Sequence, residues 1–137
     1  MFKRLIVVLA MVGGFMVLAP TEPASAALPS CGGATYVNWG WQTPATGGIP
    51  TTQLNSGNTN CTMSVGLTSF GVYFLQVALR QCYGQSINAD AQFGYNTREA
   101  LKNAQRIHRI PDDGVYGPQT RDTINWASSA GCNSFDA

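Results

Sequence analysis

The chain has 137 residues, of which 11% are charged, with a formal net charge of +1 and a single histidine. Near-neutral charge excludes the basic field that nucleic-acid binding needs, and one histidine excludes a zinc hydrolase built on paired histidine ligands. Without residues 1–26, which hold Lys3, Arg4 and Glu22, acids and bases balance; what is left can bury one core but not two large ones.

In chain order, Lys3 and Arg4 precede an apolar run from Leu5 to Leu18, and Ala24-Ser25-Ala26 follows. These are the parts of a secretory signal peptide, with cleavage expected after Ala26. The run falls short of the roughly 20 apolar residues of a membrane-spanning helix, so no membrane association is expected after cleavage. Residues 27–60 show no helical period and are rich in Gly, Thr, Asn and Pro. Within them Thr35–Trp41 is a β-type stretch with Val37, Trp39 and Trp41 on one face, and Gly47–Leu54 is placed to pair back on it. A two-stranded ribbon is marginal alone, so this arm needs a staple or a docking surface. Cys31, Cys61, Cys82 and Cys132 all lie in the exported part, which reads as two disulfides. Three pairings are open. Cys31–Cys61 with Cys82–Cys132 is favoured because each bridge closes its own half of the chain.

From Phe70 the pattern turns helical. Val72, Leu75, Leu79 and Tyr83 recur at helical spacing, predicting a helix over about 71–82 that ends at Gly84. A second helix is predicted from about Asn96 to Arg109, with Asn96 and Glu99 as a capping box, Ala100, Leu101, Ala104 and Ile107 inward, and Pro111 marking the break. A third starts near Pro118, carries Ile124 and Ala127 inward and ends before Gly131.

Residues 87–101 and 110–124 repeat one another. They share Ile87/Ile110, Asp90/Asp113, Gly94/Gly117, Thr97/Thr120 and Arg98/Arg121, and Phe93/Tyr116 are both aromatic. The unit is an Asp turn, an aromatic plug, a Gly and a helix start. Phe93 and Tyr116 are therefore expected in the core.

These residues resemble the peptidoglycan-binding domain found beside bacterial cell-wall hydrolases. Leu75-Gln76-Val77-Ala78-Leu79 matches that family's L-Q-x-x-L element. Asp90-Ala91-Gln92-Phe93-Gly94-Tyr95-Asn96-Thr97 and Asp113-Gly114-Val115-Tyr116-Gly117-Pro118-Gln119-Thr120 match its two D-G-x-[FY]-G-x-x-T elements. Cys61 and Cys82-Tyr83-Gly84 are similar to stand-alone secreted versions in actinomycetes. The resemblance implies a mainly α fold, a three-helix bundle over residues 61–132. The disulfide-stapled β-type arm at 27–60 would precede it and a short tail at 133–137 follow it. Three positions depart from the family pattern. Ala91 stands where the family has Gly, which argues against a left-handed backbone there; Ala104-Gln105 replaces an aromatic-Gln pair; and His108-Arg109-Ile110-Pro111 replaces a Gly-containing turn.

The chain is not expected to be an enzyme. Its cysteines are committed to disulfides, Glu99 is explained as a cap, and His108 has no partner that would make a site. No cofactor or metal is implied. The function expected is that of a secreted, monomeric, non-catalytic module binding peptidoglycan, outside the cell or on its wall. The alternative is a secreted interaction protein that regulates or inhibits a wall hydrolase or a protease. Glycans and stem peptides call for aromatic faces, planar amides and guanidinium forks, which makes Tyr95, Asn96, Arg98, Tyr116, Gln119 and Arg121 the candidate ligand-binding residues. Trp39 and Trp41 form a possible secondary platform.

Overall fold

The computed structural model describes residues 27–38 and 46–135. Residues 1–26, expected to be a signal segment, and Trp39 and Trp41 lie outside the described residues.

Strands β1 (Gly33–Asn38) and β2 (Thr46–Thr51) pair antiparallel, with Val37 opposite Gly47 and Thr35 opposite Ile49. The expected hairpin is thus present, and its first strand starts earlier than the aromatic run suggested. Period-two alternation holds on β1: Tyr36 points out, 71% exposed, and Val37 leans on the core. The arm is stapled by Cys31–Cys61 and docks on helix α1 (Phe70–Tyr83). The approach is close enough to require glycine on both sides. A Cβ on Gly71 would sit 3.0 Å from the carbonyl oxygens of Cys31 and Gly33, and one on Gly48 would overlap the Phe74 ring.

Helix α1 is capped at both ends by its own sequence. The Ser69 hydroxyl accepts the Val72 N–H, and Gly84 closes the helix in the left-handed conformation, φ 61°, as its position predicted. Val72, Leu75, Ala78 and Leu79 form the buried stripe. Helix α2 (Tyr95–Ile107) buries Ala100, Leu101 and Ala104 against it. The predicted capping box is not formed. The N-cap residue is Gly94, with no side-chain cap, and Glu99 instead lies 3.6 Å from Lys102. Ile107, expected on the inner stripe, is 63% exposed.

The expectation of a mainly α three-helix bundle is overturned. Helix α3 spans only Pro118–Thr123, and the chain then forms a second hairpin, β3 (Asn125–Ser128) with β4 (Gly131–Ser134). Among the described residues, two long helices, one short one and two two-stranded sheets make a mixed α and β fold. The reason lies in Trp126. Its indole Nε1–H donates to the Arg121 carbonyl at 3.0 Å, satisfying an orphan acceptor at the end of α3. Ile124 and Trp126, two residues apart, are both fully buried, which is strand spacing; the helical pair Ile124/Ala127 was the weaker signal. The Tyr83 hydroxyl accepts the Asn125 N–H at 2.7 Å, and Cys82–Cys132 ties β4 to the end of α1. Both favoured disulfides are therefore present.

Arm, helices and second hairpin share one core, in which Cys31 and Ile49 of the arm join Leu75, Leu79, Phe93, Leu101, Tyr116 and Trp126. No helix of the described residues is long and apolar enough to cross a membrane.

Candidate functional site

Two buried glutamines organise the repeat. Gln76, on α1, is 1% exposed. Its Nε2 donates toward Asp90 Oδ1, the Gln92 carbonyl and Thr97 Oγ1 at 3.0, 2.9 and 3.0 Å, while its Oε1 accepts the Ala91 N–H at 2.9 Å. Gln105, on α2, repeats the pattern in the second unit. Its Nε2 meets Asp113 Oδ1, the Val115 carbonyl and Thr120 Oγ1 at 3.2, 3.0 and 3.1 Å, and its Oε1 accepts the Gly114 N–H at 3.0 Å. In each turn the aspartate also accepts the N–H two residues on, from Gln92 and from Val115. A planar amide with two donors and an acceptor suits a turn that presents acceptors on both sides of one N–H.

The residue after each aspartate is left-handed: φ is 69° at Gly114 and 65° at Ala91. Ala91 thus adopts the conformation that its side chain argued against. Its N–H is held by Gln76 and its carbonyl by the Ser69 N–H at 3.0 Å, and these bonds offset a strain of about 1–2 kcal/mol. At the His108–Pro111 departure from the family pattern, Arg109 takes the turn at φ 56°.

The aromatic plugs are clipped by their backbones to the segment that runs into α1. Phe93 N–H donates to the Leu67 carbonyl at 2.8 Å, and Tyr116 exchanges both backbone bonds with Met63 at 2.9 and 3.0 Å. Both rings are buried, as the repeat predicted. Tyr116 packs edge-on against Trp126, with ring centroids 5.9 Å apart. Its hydroxyl is buried and has no hydrogen-bond partner among the described residues. Burial also pushes its ionisation far above the usual tyrosine range. Phe93 shows that this position works without a hydroxyl. Tyr116→Phe is therefore expected to raise stability by about 1 kcal/mol, read as a higher urea midpoint; a lower midpoint would mean that the hydroxyl is satisfied.

Two carboxyls carry a pH dependence. Asp90 is held below the ordinary carboxylate range by the Gln92 N–H and then by Gln76, and Asp112 by Arg106, whose Nε lies 2.7 Å from its Oδ2. A depressed folded value means that these contributions are complete above the unfolded value of about 4 and are lost as pH falls through the folded one. Melting temperature is expected to hold from pH 7 to about 5 and to fall below about 4, with Asp90→Asn flattening that fall in a pH series of thermal melts.

The predicted ligand residues are divided by the fold. Tyr95 is 72% exposed at the first position of α2, and Asn96 beside it is also exposed. With Asp90, Gln92 and Thr97 they line a depression of 340 Å³. On the other side of Tyr95, Arg98 lines a cleft of 280 Å³ with Ser64, Val65 and the second turn, Asp113–Val115. A Cβ on Gly114 would come 2.6 Å from Arg98 Cγ, so the glycine gives Arg98 its place. Tyr116 is fully buried and Arg121 is 9% exposed, which removes both from the accessible surface. The Arg121 guanidinium binds Asp122 Oδ1 at 2.6 Å, Thr59 Oγ1 at 2.8 Å and Asn60 Oδ1 at 3.0 Å, and lies over the Phe135 ring. It ties the arm to α3. Gln119 is exposed at the start of α3 but lines neither depression. His108 is half-buried, its Nε2 2.7 Å from the Tyr83 hydroxyl.

Comparison with known families matches residues 69–124 to the family described as a putative peptidoglycan binding domain. That stretch contains α1, both glutamine-held turns, α2 and α3, and over it the chain is similar to the peptidoglycan-binding family. Comparison with curated proteins and with solved structures found no match.

Proposed function

We propose that this protein is a secreted, monomeric, non-catalytic module that holds to bacterial peptidoglycan at the start of α2, through Tyr95, Asn96 and Arg98. The family match supports the ligand. The observation that carries the site is Tyr95, a large aromatic 72% exposed and standing between two depressions, with a guanidinium in one of them. Arg98 makes no side-chain hydrogen bond or ion pair among the described residues, so its fork is available to a carboxylate or an amide. The non-catalytic reading is supported by four cysteines held in disulfides and by a histidine engaged with Tyr83. The disulfides also support an extracellular or wall-associated location. Gln119, exposed at the start of α3, is a peripheral contact in this reading.

Tyr95→Ala and Arg98→Ala are each expected to weaken co-sedimentation with purified peptidoglycan about tenfold, the equivalent of about 1.4 kcal/mol, with the melting temperature unchanged. Arg121→Ala is expected to do the reverse. It lowers the melting temperature by removing three hydrogen bonds from a buried guanidinium, about 2 kcal/mol or more, and leaves the affinity of the folded fraction intact. Undiminished binding by a folded Tyr95→Ala/Arg98→Ala protein would move the site elsewhere.

A further inference from the structure

The two depressions beside Tyr95 are part of a longer feature. A third and larger one, 750 Å³, lies between the C-terminal half of α1 and the loop that follows it, and is lined by Arg80, Gln81, Gly84 and Asn88 among others. Ile87 and Asn88 line both this depression and the one at Asn96. Tyr95 lines both that one and the Arg98 cleft. The three therefore adjoin in sequence along one surface. The largest alone reaches the size of a whole small-molecule site, about 300–1,000 Å³, so a ligand that engages all three is elongated.

The chemistry of the lining is uneven in an informative way. Cations stand only at the ends, Arg80 in the first depression and Arg98 in the last. The rest of the lining is mostly neutral amides that both donate and accept, Gln81, Asn88, Gln92 and Asn96, with the Asp90 carboxylate in the middle depression and Asp113 in the last beside Arg98. A segment rich in carboxylates, such as a stem peptide, meets repulsion from Asp90 and no cation in the middle of the surface. Sugar hydroxyls and N-acetyl groups match the amides, and the exposed Tyr95 ring offers an apolar face for a pyranose. Resting on the peptidoglycan reading above, we infer that the component recognised is the glycan strand, laid from the end of α1 across Asn88 and Tyr95 to Arg98.

The test uses the folded, disulfide-bonded protein and three probes: intact peptidoglycan, amidase-stripped glycan strands separated by length, and free stem peptides. The expected result is binding to the first two and not to the third, with affinity rising about tenfold from a disaccharide to a strand long enough to cross all three depressions. Arg80→Ala/Gln81→Ala, two exposed positions that line only the largest depression, is expected to abolish that rise while leaving the melting temperature and disaccharide binding unchanged. Binding to intact peptidoglycan with none to stripped strands, or affinity independent of strand length, would overturn the glycan groove and leave wall binding standing. No binding to intact peptidoglycan would overturn both.

Discussion

Gln105→Glu is expected to destabilise the protein by about 3 kcal/mol or more at pH 7. The substitution keeps shape and size but puts an oxygen where Nε2 now faces Asp113 Oδ1 and the Val115 carbonyl at 3.2 and 3.0 Å. The position is 1% exposed, so the new carboxylate has neither water nor a cation to offset its burial, and a second carboxylate stands beside it. Burial and like charge raise the folded ionisation value of the new group. The penalty is then full at neutral pH and shrinks as pH falls, because the protonated acid regains a donor for Asp113. Urea midpoints measured at pH 7 and pH 5 check this. The difference between Gln105→Glu and the parent protein narrows at the lower pH, whereas a pH-independent loss would point to packing instead. Gln76→Glu, facing Asp90 in the first unit, is expected to behave in the same way.

Removing the Cys82–Cys132 bridge as a double serine variant is expected to cost about 4 kcal/mol on the chain-entropy account. The bridge closes a separation of 50 residues, against 30 for Cys31–Cys61, so loss of the second bridge costs slightly less. The larger loop is also the one that holds β4 against α1. Amide exchange separates the two effects. Without Cys82–Cys132, residues 125–134 are expected to lose protection first while the Gln76 and Gln105 turns stay protected. Uniform loss of protection would instead make the bridge part of the global unfolding unit.

The sequence disclosed most where local chemistry and tertiary demand agree. The stripe of Val72, Leu75 and Leu79 with Gly84 beyond it defined α1, and the pairing of Phe93 with Tyr116 placed two plugs in the core. It misled where a long-range partner decides. Residues 124–128 carry a short helical pattern, but the indole of Trp126 stops α3 and the Cys82 bridge draws the chain back as a hairpin. Arg121 reads as the equal of Arg98 in the repeat. Yet the partners that bury it, Thr59 and Asn60, belong to the arm and have no counterpart in the first unit. Ala91 adopts a conformation set by Gln76 and Ser69 rather than by its own preference. The glutamines themselves stood in the family motif, but as residue types they suggest the surface. The signal that reveals them is the recurrence of a glutamine on the preceding helix with an aspartate turn and a threonine after it: Gln76, Asp90 and Thr97, then Gln105, Asp113 and Thr120.

The most direct measurement is the depletion of the folded, disulfide-bonded protein from solution by increasing amounts of insoluble, protein-free peptidoglycan, with cellulose and chitin as controls. The account predicts saturable depletion by peptidoglycan, stronger than by chitin and far stronger than by cellulose, and weakened about tenfold by Tyr95→Ala or Arg98→Ala. A protein that stays in the supernatant at every load, or that sediments equally with all three polymers, would contradict it.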